Sequence, residues 1–395
     1  MLTKRNWLFG IAFAGLSLGG VANASVWTWT GSGANDNWNT AGNWSPVTVP
    51  TNFSSTYLEF GGTTRLTNVN NISGSTMVGG FVFLSGAGSF TLNGTAVGVY
   101  ASASGTPTGI SGPYNLQGVN QLSSSPQTIN IPITIRSNVL LTGDGTGVVT
   151  LTSVGATSND VTKNGTSTYF IDDADGTNFG VTRTLNVNAG KLFYRNTTNS
   201  ATGGAGVSVL SGATFGGDGQ ITPGDATTKN RDVTIALDGI LSPGTPVANS
   251  VGTMRLNLVN ATNTLASAIS TTTSDLSLVS GSKFIFDLAT PSTSDQIRLD
   301  AGVLRLNSQQ FSDFTFNALP GFGNGTYTLI DSVGGTATGG SLNTTPANLT
   351  GTIDGRTATL SLSDGDVILT VIPEPATLGL ASMGAVLFFA RRRRA

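Results

Sequence analysis

LNVNAGKL at residues 185–192 is echoed by VSVLSGATF at 207–215, LSLVSGSKF at 276–284 and IRLDAGVL at 297–304. The shared phrase is apolar, any, apolar, any, any, Gly, and then an apolar residue two or three places on. It is carried by Leu185, Val187, Gly190 and Leu192; by Val207, Val209, Gly212 and Phe215; by Leu276, Leu278, Gly281 and Phe284; and by Ile297, Leu299, Gly302 and Leu304. A slipped copy reads Val233, Ile235, Leu237, Gly239, Leu241. The glycines at 190, 212, 239, 281 and 302 are separated by 22, 27, 42 and 21 residues, and 42 reads as two steps of 21. Alternation turns one face of a short strand inward. Glycine then permits the positive φ or close backbone approach of a corner, and the next apolar residue opens a second inward face. A unit of this size cannot bury its own face, so neighbouring units must stack upon it.

The phrase therefore predicts an all-β chain coiled as a parallel β-helix, or β-solenoid. At ~4.8 Å per rung, roughly 340 residues in units of ~22 make a rod of roughly 70 Å. An antiparallel sandwich also alternates its strands. It would use Asn164-Gly165, Asp238-Gly239 and Asp354-Gly355 as turns equally well, but it explains the regular interval less well. Residues 61–264 are read as β-helix repeats, and 265–372 as a C-terminal β region, where a β-sandwich-like part is the expected exception.

Composition agrees with a folded, glycine-punctuated β protein. Charged residues make up 10% and hydrophobic residues 38%, with 53 glycines, whereas disorder couples low hydrophobicity to high net charge. Setting aside the charged residues at the two ends, six basic and Glu374, leaves 13 basic and 20 acidic residues in the body. Such a body has no electrostatic reason to bind nucleic acid. The chain has no cysteine and no histidine. That excludes disulfides, thiolate nucleophiles and metal sites, imidazole ligands and histidine-based triads.

The two ends read as addresses. In residues 1–24, Lys4 and Arg5 precede an apolar run from 7 to 18, and Ala22 and Ala24 frame a small-x-small cleavage site before Ser25. An uncleaved anchor is the competing reading, but the apolar run is short for a span of ~20 residues. At the other end, in residues 373–395, Pro373, Glu374 and Pro375 precede an apolar stretch at 376–390 and then Arg391, Arg392, Arg393 and Arg394. Positive charge stays cytoplasmic, so these arginines stop transfer behind a short C-terminal transmembrane helix and leave the body outside. A chance Pro-Glu-Pro before an ordinary tail anchor is the bland alternative.

This order of Pro-Glu-Pro, short apolar helix and arginine cluster resembles the PEP-CTERM sorting signal. The resemblance covers 372–395 and implies a membrane protease of the exosortase type as partner, and association with exopolysaccharide or the cell envelope. It also implies a protein exported through the inner membrane to the cell surface or beyond, with its tail first inserted in the membrane. Residues 185–192, 207–221 and 237–244, the run Ser294-Asp295-Gln296-Ile297, and GTYTLID at 325–331 are similar to autotransporter-associated β-strand repeats. That likeness spans about 180–370 and implies a passenger-type β-helix displayed outside the cell. No β-barrel translocator follows the repeats, so the tail stands in its place.

Candidate sites are few. Trp27, Trp29, Trp38 and Trp44 crowd one short stretch within 25–60. They suit an aromatic N-terminal cap over the open end of a solenoid, or a platform on which sugars stack. Asp172, Asp173 and Asp175 beside Gly176 form the densest acidic cluster and a weak Ca²⁺ candidate. An EF-hand-like alignment puts Ile171 and Thr182 where acidic ligands belong, so a solvated turn is the alternative and no cofactor is expected. Paired carboxylates could run glycoside hydrolysis, and Arg183 or Lys191 could serve a lyase. Yet Glu59 is the body's one glutamate and the aspartates sit mostly in turn contexts. No catalytic residue is assigned. The expectation is a structural or adhesive surface protein, with a carbohydrate-binding or polysaccharide-processing β-helix as the alternative.

Overall fold

A computed structural model describes residues 25–50, 56–74, 76–100, 118–155, 159–172, 184–195, 206–221, 232–245, 250–258, 275–332 and 339–373. The repeated phrase builds the coil. In strand Thr184–Val187, Leu185 and Val187 are fully buried and Thr184 and Asn186 face outward. Gly190 follows at φ 67°. A Cβ there would lie 2.4 Å from the Gly165 carbonyl oxygen, so the corner needs glycine for both conformation and space. The chain then enters strand Lys191–Tyr194, which sends Leu192 and Tyr194 into the core.

Successive coils stack in parallel register. On the first sheet Val161, Leu185, Val207, Val233, Leu276 and Leu304 are cross-strand neighbours in turn. On the second, Tyr169, Leu192, Phe215, Leu241, Phe284 and Phe314 repeat the pattern. The ring of Phe284 stacks on that of Phe314 with centroids 4.6 Å apart. These sheets hold 12 and 10 strands. A third face comprises Thr76–Val78, Val97–Val99 and Ile133–Ile135 toward the N-terminal end. Farther along it comprises Gln220–Ile221, Thr253–Asn257, Gln296–Ala301 and Gly325–Asp331. The all-β parallel solenoid predicted from the phrase is the observed architecture.

Details of the expected repeat differ. Val233 pairs directly with Leu276 and Ile235 with Leu278, so the interval of 42 residues is one enlarged coil rather than two. Ile297 and Leu299 are buried, but they lie on the third face beside Met254 and Leu256. Their alternation imitates the phrase while serving another sheet. Leu237, taken as inward in the slipped copy, is 55% exposed at a corner, where Asp238 adopts the positive φ of 57°. Setting aside antiparallel Trp44–Ser45, eleven parallel strands stack in the first sheet. Ten steps of ~4.8 Å give a rod of roughly 50 Å, shorter than expected because several coils exceed 22 residues.

Within 265–372 the predicted sandwich-like part gives way to continued coiling. Parallel pairing runs on through Lys283–Leu288, Gln296–Ala301, Phe314–Ala318 and Gly325–Asp331. Only then do Asp366–Ile372, Arg356–Ser363 and Thr350–Ile353 join antiparallel to the same third-face sheet. The hairpin at Asp354-Gly355 supplies the positive φ of both residues, as an Asp-Gly turn does. No helix among the described residues is long and apolar enough to cross a membrane. The helix predicted at 376–390 and the signal at 1–24 lie outside the described residues.

Candidate functional site

At the N-terminal end, strand Ser25–Trp29 stacks on Thr56–Phe60 and pairs antiparallel with Trp44–Ser45, which ends the first sheet. The four tryptophans converge here. Trp29 meets Trp44 edge-on at 5.1 Å, and Trp38 meets Trp44 at 5.7 Å. Phe60 of the next coil lies 6.0 Å from Trp38. Each indole N–H finds an acceptor: Trp27 donates to Thr48 Oγ1 at 3.1 Å, Trp29 to the Thr64 carbonyl at 3.4 Å, Trp38 to Asn68 Oδ1 at 2.7 Å, and Trp44 to the Trp38 carbonyl at 2.8 Å. Exposure is 8% for Trp27 and at most 1% for the other three. Sugar stacking needs a bare indole face, so the platform reading is corrected: the quartet is core, and it closes the end of the rod.

Of the acidic cluster, Asp173 and Asp175 lie outside the described residues. Asp172 accepts from Arg195 at 2.9 Å, and that guanidinium lies 4.3 Å over the Phe170 ring. The carboxylate is thereby neutralised, and no group of three or more acidic side chains among the described residues is arranged to hold a metal. Lys191 is exposed on the second sheet between Thr168 and Thr214, and Arg183 lies outside the described residues. Glu59 accepts from Thr28 Oγ1 at 3.0 Å on the neighbouring strand. Among the described residues, Asp172, Lys191 and Glu59 are not brought together.

Asp275 and Asp313 are buried in ion pairs with Arg305 and Lys283, and two further buried ionisable groups, Lys163 and Asp295, stand outside the ion pairs of the described residues. Lys163 occupies an inward position between Leu141 and Val187 and is fully buried. Its ammonium reaches the corner and donates to the carbonyls of Asn164, Gly165 and Ala189 at 2.6, 2.8 and 3.1 Å. Burial pulls its pKa down to about 7, opposed by the negative charge of Asp144. The stretch Val161-Thr162-Lys163-Asn164-Gly165 is a copy of the phrase one residue shorter before its glycine and with lysine at the second apolar place, which hid this coil. Asp295 is 2% exposed, accepting from the backbone N–H of Gly252 at 2.7 Å and of Asp287 at 2.9 Å. It clamps three segments where coils meet, a physical reason for aspartate in the Ser-Asp-Gln-Ile run.

Burial pushes the Asp295 carboxyl up to about 7, with Asp287 and Asp218 adding to the rise and the two N–H donors opposing it. The folded protein then keeps a proton that the unfolded chain has lost. Between about pH 4 and 7 the unfolded state binds fewer protons, so stability falls as pH rises through that window. Urea unfolding at several pH values should show this slope in the parent, and Asp295→Asn should flatten it. Equal slopes would refute the assignment.

On the third face, Gly98 lies between Met77 and Thr134 in an outward column, and the three line a cleft of about 280 Å³ together with Tyr100 and Arg136. Elsewhere the first sheet presents a ladder of small polar groups, Thr162, Asn186, Ser208, Thr234 and Ser277.

At the C-terminal end, Val371 is buried and Ile372 is half-exposed as the strand Asp366–Ile372 runs out into Pro373. Glu374, Pro375 and the four arginines Arg391, Arg392, Arg393 and Arg394 lie outside the described residues. Residues 371–394 match the family model of the PEP-CTERM protein-sorting motif. The chain thus carries, behind a β-solenoid, a signal for sorting by an exosortase system, which indicates export and a membrane-held C-terminus before processing. No curated protein matches the chain.

Proposed function

We propose that this is a non-catalytic structural or adhesive protein of the cell surface or extracellular matrix, working without a cofactor in association with exopolysaccharide. The sorting motif at 371–394 is the observation that carries the reading. A rod closed at its N-terminal end, with a ladder of Thr, Ser and Asn side chains, supports it, because such a body gives reach and a hydrated surface. The ion-paired Asp172 and the hydrogen-bonded Glu59 favour structure over chemistry. The coils resemble autotransporter-associated repeats, which suits a body displayed outside the cell. A carbohydrate-binding reading gains from the cleft beside Tyr100 and Arg136.

Mass spectrometry of the mature protein tests the processing. The N-terminus should be Ser25, the first residue of the first strand, and the C-terminus should fall near Pro373 to Pro375 in cells with the sorting enzyme. Replacing Arg391, Arg392, Arg393 and Arg394 with neutral residues should impair retention, since the cytoplasmic stop is lost. Released protein that still carries all four arginines would disprove cleavage.

A further inference from the structure

The cleft on the third face is built by a missing side chain. Gly98 sits at the outward position of strand Val97–Val99, between Met77 and Thr134 on its neighbours. A Cβ at Gly98 would stand 3.5 Å from Met77 Cγ and 3.7 Å from Arg136 Cγ, and the residue has no positive φ. Nothing in the backbone therefore requires glycine here. What its absence of side chain provides is depth. Valine would be the ordinary occupant of such a strand position, and it would fill the notch.

Arg136 stands apart from the other arginines among the described residues. Arg65, Arg195, Arg255, Arg298, Arg305 and Arg356 each pair with an aspartate, whereas Arg136 forms no ion pair with a carboxylate among the described residues. Its backbone N–H donates to Val99 at 2.8 Å, which places it beside Tyr100 across the ladder. Tyr100 is 38% exposed, unlike the enclosed aromatic rings of the core. The cleft thus combines an unneutralised guanidinium, an open aromatic ring, a threonine hydroxyl and a thioether wall around a bare backbone floor.

We propose that this cleft binds a carboxylate-bearing sugar ring, a uronic acid unit of an acidic polysaccharide. The guanidinium fork matches a carboxylate in two parallel hydrogen bonds. A tyrosine ring offers a flat apolar face to the C–H side of a pyranose while its hydroxyl stays polar. Methionine adapts to an irregular apolar edge, and Thr134 can exchange hydrogen bonds with ring hydroxyls. The volume lies near the lower end of ligand pockets, ~300–1,000 Å³, which suits one ring rather than a long segment. The body as a whole is acidic, so attraction is local to Arg136 and should weaken with salt. This deepens the polysaccharide part of the proposed function and is independent of its sorting part.

Calorimetric titration of the full-length protein with oligogalacturonate, and with its methyl ester as the uncharged control, tests the site. The acid should bind and the ester bind at least tenfold more weakly. Arg136→Gln should weaken acid binding tenfold or more, and Gly98→Val should abolish it, both with the parental melting temperature. Should Gly98→Val fail to fold, Arg136→Gln and Tyr100→Ser decide. Equal binding of acid and ester, or unaltered binding by the folded variants, overturns the site. If neutral polysaccharides bind and these variants do not matter, the site alone falls. If no polysaccharide binds, the polysaccharide part of the proposed function falls with it.

Discussion

Trp38→Ala and Trp44→Ala should each lower stability by the ~3–5 kcal/mol that follows emptying a large aromatic site. Trp38 and Trp44 are enclosed, contact each other edge-on at 5.7 Å, and both lie against Phe60 of the next coil. Truncating Trp38 also strips Asn68 Oδ1 of its donor, and a buried acceptor left unpaired adds to the loss. Trp44→Ala removes the edge-on partner of both Trp29 and Trp38. Since a solenoid holds each coil chiefly through its neighbours, loss of the cap should also let exchange of backbone amides begin at Thr56–Phe60 and spread inward. Denaturant melts and hydrogen exchange would measure both effects. Parental stability in these variants would mean that the quartet does not hold the end of the rod.

The second large effect is expected inside the stack. Val209→Asp would set a carboxylate between Val187 and Ile235, at a position with no exposure, at a cost of several kcal/mol unless the group stays protonated. Ser208→Asp, one residue away on the outward face between Asn186 and Thr234, should stay within ~0.5 kcal/mol. The contrast tests the inward and outward assignment of the whole column. Two variants of equal stability would contradict it. Lys163 in the same column shows what a charge needs there: a stem long enough to reach a corner and three carbonyls waiting at its end. Aspartate at 209 has neither.

What the sequence made legible was the period, because alternation followed by a glycine corner is local information. Leu185, Val187, Val207, Val209, Leu276 and Leu278 took the places that their pattern assigns. Which face a strand belongs to is not local. Ile297 and Leu299 alternate as well as Leu276 and Leu278 do, yet they line the third face, and only the pairing with Met254 and Leu256 distinguishes them. Counting glycines likewise cannot tell a coil with a long excursion from two short coils, as Val233 and Leu276 show by lying side by side. The cap was legible from the crowding of its tryptophans, although their burial was not. The cleft at Gly98 was illegible, since a glycine that makes room is written like one that makes a corner.

The exit of the tail from Asp366–Ile372 has a mechanical meaning. This strand is held between Gly325–Asp331 and Arg356–Ser363, antiparallel to both. Antiparallel hydrogen bonds lie perpendicular to the strand. A pull on the membrane-held end, directed along the strand, therefore loads both rows of bonds in shear at once instead of peeling them one by one. While the tail remains inserted, drag on the rod is borne by two ladders acting together at the point where the chain is tethered.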